Sequence, residues 1–423
     1  MSSPNPNRPP RIVAFLGALG AWLALSMSGC SSTNLVAPVL PPLSAVTLTP
    51  FTDTLQIGQT RLFTAVAFDT SGVAVQNATF QWRTSDPGII TVTAGRVRAV
   101  GEGSAWVLAS AGGFSDSSIV SVFPDTGWFS QDSDANNADL NGVFFRPDGR
   151  RGWAVGAGGT VVHTDDAGAV WERQVSNTAF VLNAVWFTSD FEGWAVGANG
   201  TVLKTVNSGS TWTRLNNSQV NTGETLRDVT FASPDTGWAV GTNGVILHTF
   251  NRGASWQKVN PTANNLNSVS FTGTRDGWAV GDGGVILGTH DRGLSWFVML
   301  PALTSQPLRS VFRRSEPLAW AVGQQGVTPR TSQPDTTRWE LRNAGAQFQL
   351  QGVYYPTDLI GYAVGSNSGQ GSVLRTDDGG LTWDPQISHA SVQLNDVFFV
   401  DALRGWAVGD LGTIVHTARG GRQ

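Results

Sequence analysis

Short apolar runs alternate with polar turn residues along most of the chain, and they recur at a nearly fixed interval. The phrase Gly-Trp-Ala-Val-Gly, or a close variant, occurs seven times, with consecutive copies 40 to 44 residues apart. Each copy follows a run of the form Leu-x-x-Val-x-Phe or a close variant and precedes another apolar run, and in six of the seven repeats a Gly-x-x-Gly turn lies between. Runs of about 4–6 residues bounded by glycines are typical of β-strands. No stretch of the repeat region shows a long helical period.

Each repeat therefore offers four short strands. Four strands in a unit of roughly 42 residues, repeated seven times, predict an all-β fold, a seven-bladed β-propeller. An open solenoid is the alternative, but it needs terminal repeats with a polar outer face, and the sequence shows none. Asn199-Gly200 and Asn243-Gly244 favour type I′ turns, since both central residues of that turn take positive φ.

The two ends of the repeat array are complementary. The seventh repeat ends at Gln423 without the fourth strand, which carries a second tryptophan in the other six repeats. Trp128 lies just before the first repeat and belongs to none of them. We expect its segment to complete the last blade, because this closes the ring and leaves no unfinished sheet edge.

Tryptophans follow the repeat in two sets, and we expect both to pack inside the propeller. The predicted structural tryptophans are Trp128, Trp153, Trp171, Trp194, Trp212, Trp238, Trp256, Trp278, Trp296, Trp320, Trp339, Trp383 and Trp406. Tyr362 takes the corresponding place in the sixth repeat.

The phrase that ends each repeat resembles the Asp-box of sialidase-type repeats. Its acidic or amide positions are Asp166, Asn207, Asn251, Asp291 and Asp378. We interpret them as structural, because such side chains accept backbone N–H bonds in turns while the nearby glycine takes positive φ. The alternative, a metal or catalytic carboxylate in each box, is disfavoured because the box recurs once per blade. The fifth copy, Thr331 to Trp339, is degenerate and one residue longer.

An apolar run from Ile12 to Met27 follows Arg8 and Arg11. At 16 residues it is shorter than the roughly 20 that a transmembrane helix needs, and it is typical of a secretory signal. It ends in Leu-Ser-Met-Ser-Gly before Cys30, which resembles a bacterial lipoprotein cleavage box. The resemblance implies that Cys30 carries lipid and begins the mature chain; a plain signal peptide is the alternative.

The absence of Asp after Cys30 is typical of lipoproteins of the outer membrane, so we expect an exported protein that is lipid-anchored there. Residues 1–29 are then the signal peptide, and the proline-containing residues 30–43 are an extended tether. Residues 44–123 contain about seven alternating runs separated by turn residues, which predicts a β-sandwich. Leu55-Gln-Ile-Gly58 and Trp82-Arg-Thr-Ser-Asp-Pro87 resemble a bacterial immunoglobulin-like domain of group 2. We interpret it as a spacer with Trp82 in its core; an adhesive role is the alternative.

Composition excludes several classes of function. The chain has 27 Lys and Arg against 31 Asp and Glu, a net charge of −4, which disfavours nucleic-acid binding. Only one cysteine is present, and the five histidines have no ligand-type spacing, so we expect neither a disulfide scaffold nor a metal or other cofactor.

Residues 124–423 are then the propeller domain, and its repeat unit resembles the photosystem II assembly and stability factor family over residues 125–423. The resemblance implies a seven-bladed propeller that binds a protein partner, an integral membrane protein in the family, without catalysis. It suggests a role in photosynthesis if the organism is photosynthetic. The family uses an arginine-rich face, but the basic pairs at Arg150 and Arg313 do not recur across blades. We expect a monomer.

A basic column precedes the Asp-boxes. Its positions are His163, Lys204, His248, Gly288, Arg330, Arg375 and His416, and six of the seven carry basic side chains. A ring for an acidic partner is one interpretation, and we favour edge positions whose side-chain stems cover neighbouring blades.

A sialidase-like glycosidase, or a carbohydrate-binding surface protein, is the alternative function. Such a glycosidase needs an arginine triad, a Tyr–Glu pair and an acidic Asp, and we find no such constellation. We therefore predict no enzyme activity. We expect the partner at the blade-linking loops and the Gly-x-x-Gly turns on one face, with loops such as Asn216–Glu224 and Pro301–Pro307, because binding sites commonly lie on loops over rigid scaffolds.

Overall fold

The computed structural model describes residues 41–57, 59–123, 127–215, 220, 223–299, 302–331 and 338–421. The predicted signal peptide, Cys30 and most of the tether lie outside the described residues. In the described part of the chain, no helix is both long and apolar enough to cross a membrane.

The first described segment forms three small sheets around an apolar core. Its strands are β1 (Leu43–Thr49), β2 (Thr52–Gln56), β3 (Thr60–Leu62), β4 (Thr64–Asp69), β5 (Gln81–Thr84), β6 (Ile90–Thr93), β7 (Arg96–Ala99), β8 (Gly103–Ala111) and β9 (Phe114–Phe123). The sheet orders are β1-β4, β2-β9-β8-β5 and β3-β7-β6. Phe63, Val97 and Val107 are buried in the core, and Trp82 packs against it half-buried. The immunoglobulin-like assignment of this segment stays a prediction.

The described residues of the repeat region form seven four-stranded antiparallel sheets, which are the blades. Blade 1 contains β11 (Leu140–Phe145), β12 (Gly152–Gly156), β13 (Val161–Thr164) and β14 (Glu172–Gln174). Blade 2 contains β15 (Leu182–Phe187), β16 (Gly193–Gly197), β17 (Thr201–Thr205) and β18 (Thr213–Arg214). Blade 3 contains β19 (Leu226–Phe231), β20 (Gly237–Gly241), β21 (Ile246–Thr249) and β22 (Gln257–Val259). Blade 4 contains β23 (Leu266–Thr272), β24 (Asp276–Gly281), β25 (Ile286–Thr289) and β26 (Phe297–Val298).

The remaining blades follow the same order. Blade 5 contains β27 (Leu308–Arg313), β28 (Ala319–Gly323), β29 (Arg330–Thr331) and β30 (Trp339–Glu340). Blade 6 contains β31 (Phe348–Tyr354), β32 (Gly361–Asn367), β33 (Gln370–Thr376) and β34 (Asp384–Gln386). Blade 7 contains β35 (Leu394–Phe399), β36 (Gly405–Gly409), β37 (Ile414–Thr417) and, from the other end of the array, β10 (Phe129–Gln131).

β10 closes the ring as predicted. It pairs antiparallel with β37, and Phe129 lies opposite His416. The Trp128 ring meets the Phe399 ring edge-on at 5.7 Å. In blade 1, the Trp171 ring makes the corresponding edge-on contact with the Phe145 ring, with centroids 5.8 Å apart. Trp128 therefore takes the place of the tryptophan that the seventh repeat lacks.

Stacked aromatic rings join neighbouring blades. The last aromatic residue of an innermost strand stacks on the aromatic residue of the second strand in the preceding blade, as Phe271 does on Trp238 at 3.4 Å. Six of the seven junctions repeat this stack, with ring centroids 3.4 to 5.1 Å apart. At the remaining junction Arg313 replaces the aromatic residue. Trp296 and Trp383 are half-buried, and the other predicted structural tryptophans are buried.

The Asp-box side chains bond within their own turns. Asp166 accepts hydrogen bonds from the Thr164 hydroxyl and the Val170 N–H, both at 2.9 Å. The same two bonds, from the threonine hydroxyl two residues earlier and from the N–H four residues later, are accepted by Asn207, Asn251, Asp291 and Asp378. In the described residues, no group of three or more His, Cys, Asp or Glu side chains could hold a metal ion.

Candidate binding cavity

A cavity of about 590 Å³ occupies the centre of the ring. It is lined by the second halves of the seven innermost strands and by the residues that follow them, such as Pro147 and Pro234. The cavity therefore lies at the face of the ring where the first strand of each blade ends. Because successive strands run in opposite directions, this face also carries the turns between first and second strands and the Asp-boxes. The Gly-x-x-Gly turns lie on the other face.

Five aromatic side chains from consecutive blades form an arc around this cavity, which we call the aromatic crescent. Its members, in order around the ring, are Phe312, Tyr354, Phe398, Phe144 and Trp186. Neighbouring ring centroids lie 4.5, 5.0, 5.1 and 5.2 Å apart in that order. All five occupy one position of the repeat, the residue before the last aromatic or Arg of the Leu-x-x-Val-x-Phe run. The crescent therefore spans five of the seven blades.

The other two blades place hydroxyl groups at that position. Thr230 and Ser270 line the cavity opposite the crescent. The Ser270 hydroxyl accepts the N–H of Arg313 at 2.9 Å. The cavity wall is thus aromatic on one side and polar on the other, although the surrounding sheets follow one repeat.

Two carboxylates lie deeper in the cavity, two residues before the crescent position. Asp228 accepts the N–H of Val269 at 2.9 Å and the hydroxyl of Ser268 at 2.8 Å. Asp396 accepts the N–H of Val143 at 2.9 Å and of Val397 at 2.8 Å. Bonds to Val269 and Val143 cross to the next blade, so each carboxylate also holds two blades together.

Withdrawal from bulk water raises the pKa of Asp228 to about 6 and that of Asp396 to about 7. The backbone N–H bonds act in the opposite direction but do not offset this burial. The charge of Asp228 adds to the rise at Asp396. Each side chain nevertheless keeps part of its surface open to the cavity. No described Lys, Arg or His side chain forms an ion pair with either carboxylate.

Two arginines at the mouth of the cavity have acidic partners of their own. Arg146 donates to Asp190 at 3.1 Å, across the junction of blades 1 and 2. Arg313 is buried, and Glu316 lies 3.8 Å from its guanidinium. Burial lowers the pKa of Arg313.

The loops that the sequence suggested for partner binding join the last strand of one blade to the first of the next, which places them on the face of the Gly-x-x-Gly turns. Residues 216–219, 221–222 and 300–301 of these regions lie outside the described residues. The predicted lipidation site, Cys30, lies outside them as well.

The column side chains that lie over aromatic rings cover rings of their own blade, not of a neighbouring blade as we expected, and they belong to third strands, which are not sheet edges. The His163 and His416 rings lie over Trp153 and Trp406, at 4.8 and 4.5 Å. Lys204 Nζ lies 4.4 Å above the ring of Trp194. The Arg330 guanidinium donates to a backbone carbonyl, and Arg375 and His248 are buried. These side chains therefore do not present a ring of charge to a partner.

Sequence reasoning missed the aromatic crescent and both carboxylates. The signal was present: the residue before the last position of the Leu-x-x-Val-x-Phe run is aromatic in five of seven repeats. Successive side chains of a strand point in opposite directions. Because the Val and the last residue of the run enter the blade core, the residue between them faces the centre of the ring.

Comparisons with known proteins agree with this fold. A family model described as Photosynthesis system II assembly factor YCF48 matches residues 120–219 and 216–308. No curated protein matches the chain significantly. Similar solved structures include YCF48 bound to D1 peptide, with 21% identity, a TM-score of 0.59, and coverage of 69% of this chain and 97% of the other.

Two further structures show the range of the likeness. YCF48 from Cyanidioschyzon merolae has 22% identity and a TM-score of 0.57, with coverage of 69% of this chain and 98% of the other. Virginiamycin B lyase from Staphylococcus aureus has 10% identity and a TM-score of 0.58, with the same coverage. At these identities the likeness shows the fold alone. The repeat region is thus a β-propeller similar to that of YCF48 proteins.

Proposed function

We propose that this protein is a non-catalytic binding protein whose propeller holds a segment of a protein partner in its central cavity. The observation that carries the proposal is the aromatic crescent at an open cavity of about 590 Å³. Aromatic side chains dominate the energetics of protein interfaces, and pockets of this size are common for ligands. A packed scaffold of seven blades fixes the positions of these rings before a partner arrives, which lowers the entropy lost on binding.

The similarity to YCF48 proteins supports a role like that of a photosystem II assembly factor. The solved structure of YCF48 bound to D1 peptide demonstrates peptide binding by a similar propeller. We therefore propose a peptide segment of an integral membrane protein as the partner, and a role in photosynthesis if the organism is photosynthetic.

We also propose that the protein acts at a membrane. Lipid on Cys30 would anchor the mature chain, since each buried methylene contributes about 0.8 kcal/mol. Residues 30–43 would act as a tether and residues 44–123 as an immunoglobulin-like spacer in front of the propeller. An exported monomer on the outer membrane fits this arrangement. Globomycin treatment of growing cells tests the anchor, since accumulation of the uncleaved precursor is the expected result.

The alternative is a propeller enzyme, as the likeness to a lyase illustrates. The ionisable residues that line the cavity are Arg146, Asp228, Arg313, Tyr354 and Asp396. This set supplies neither an arginine triad nor a Tyr–Glu pair, which is why we favour binding. Clear turnover of sialyl or glycosyl reporters, abolished by Asp396→Asn, would support the enzyme instead.

Site-specific photocrosslinking in the source cells tests the binding function. A photoreactive residue at position 398 places the probe in the crescent, and one at position 384, on the exposed part of β34, is the matched control. We expect one dominant protein adduct from position 398 and none from 384. Equal adducts at both positions, or none at 398, would contradict the proposal.

A further inference from the structure

We propose that the cavity recognises an alkylammonium group, supplied by a lysine side chain of the partner, between the aromatic crescent and Asp228 and Asp396. The inference rests on the proposed function and names the chemistry of the segment that the cavity takes. It requires three properties of the cavity: an aromatic wall, uncompensated negative charge beneath it, and a depth that suits lysine.

The wall is suitable because the face of an aromatic ring attracts cations. Ring faces within about 6 Å of an ammonium stabilise it, most strongly when water is excluded. Five rings in one continuous arc, with neighbouring centroids 4.5 to 5.2 Å apart, offer several such faces to one group. The apolar stem of a lysine would pack against the same rings.

The charge is suitable because the cations near the cavity are already compensated. Arg146 is paired with Asp190, and Arg313 has Glu316 beside it. Asp228 and Asp396 receive only N–H and hydroxyl bonds from described residues. A buried carboxylate without a cationic partner is unfavourable, so a ligand that supplies the positive charge gains from pairing with it.

The depth favours lysine. Each carboxylate precedes the crescent position by two residues, which is about 7 Å along a strand. The lysine ammonium sits on a flexible stem of four carbons, so it can reach the carboxylates while the stem lies beside the rings. A neutral apolar side chain would pack against the aromatic crescent but would leave both carboxylates without a cationic partner.

The experiment is a binding titration of the full chain, in which calorimetry and tryptophan fluorescence each measure the affinity. The probes are N-acetyl-lysine methylamide and its matched neutral analogue, in which Nζ is acetylated. We expect the cationic probe to bind at least about fivefold more tightly than the neutral one, as cation–π attraction at a partly desolvated site predicts. Equal affinities of the two probes would overturn the inference.

Variants locate the site. Asp396→Asn and Trp186→Leu should each weaken binding of the cationic probe about fivefold or more, whereas Asp384→Asn on the exposed outer strand should leave it unchanged. If Asp396→Asn fails to fold, Asp228→Asn and Trp186→Leu carry the test. Unaltered binding by the folded cavity variants would overturn the inference.

The source of the ammonium group is tested with choline. Binding of choline without binding of the lysine probe would overturn the assignment to a lysine side chain. Loss of the adduct at position 398 when the lysine probe is present during irradiation would support it. If both cations fail to bind while the adduct at position 398 persists, the proposed function stands and the lysine inference is wrong.

Discussion

At the scale of single residues, the alternation of side chains along the innermost strands divides the propeller into a core and a cavity. Phe399 enters the junction with blade 6 and stacks on Tyr362, whereas its neighbour Phe398 faces the centre of the ring. The sequence predicted the core positions, because valine and phenylalanine recur there in nearly every repeat. The cavity positions were missed, because their residue types differ between blades and an aromatic residue recurs in only five of the seven repeats.

Replacing a stacked tryptophan should destabilise the propeller strongly. Trp238 is fully buried, stacks on Phe271 at 3.4 Å and donates to the Arg292 carbonyl at 2.8 Å. We expect Trp238→Ala to lower the free energy of unfolding by about 3–5 kcal/mol, measured by chemical denaturation. Trp106→Ala, at a 46% exposed side chain, is the control and should cost less than about 1 kcal/mol. A loss at Trp238 as small as in the control would show that the blade register is wrong.

The raised pKa of Asp396 should make stability depend on pH. Because burial raises it to about 7, the folded chain holds this proton more tightly than the unfolded chain, and stability falls as pH rises from about 4 to 7. The charge of Asp228 adds to the raised pKa of Asp396. Asp396→Asn should remove this dependence.

The measurement is the difference in unfolding free energy between Asp396→Asn and the parent at several pH values. The difference should shift in favour of the variant, by on the order of a few kcal/mol, as pH rises from 4 to 7. The variant loses one backbone bond at every pH, so only the change with pH is informative. A difference that stays constant would mean that Asp396 is not withdrawn from water.

At the scale of strands and blades, the repeat spacing was sufficient to predict four strands per blade, seven blades and the origin of the closing strand. These features depend on local patterns, which one chain displays in full. Asn243 and Gly244 also take positive φ, 56° and 67°, as the type I′ prediction requires. The junction of blades 4 and 5 is an exception, because the repeat predicts an aromatic residue there and the chain has Arg313.

Deleting residues 124–131 tests the closure. Without β10 the outer edge of β37 is unpaired and the rings of Tyr362 and Phe399 lose their contact with Trp128. We expect a lower melting temperature and aggregation, measured by differential scanning fluorimetry and light scattering. Trp128→Phe keeps a ring at this place and should fall between the deletion and the parent. A deletion variant that melts like the parent would refute the closure.

At the scale of the whole molecule, ring closure creates the cavity by bringing distant segments together. Asp396 accepts from the N–H of Val143, 253 residues away in sequence. A cavity assembled from seven strands cannot be located from one strand, and this is why the sequence pointed to loops on the other face. The wall is aromatic over five blades and polar over two, so an otherwise repetitive ring is asymmetric and would fix the orientation of the proposed partner.

The most direct test of the account is a pull-down of the partner that photocrosslinking identifies. Two variants with matched substitutions are compared, and neither carries a photoreactive residue. Phe398→Arg fills the crescent with a cation, whereas Phe191→Arg places the same side chain at a 64% exposed position outside the cavity lining. With unfolding curves equal to the parent, we predict that capture falls by about tenfold or more for Phe398→Arg and is unchanged for Phe191→Arg. Unchanged capture by a folded Phe398→Arg protein would contradict binding in the central cavity.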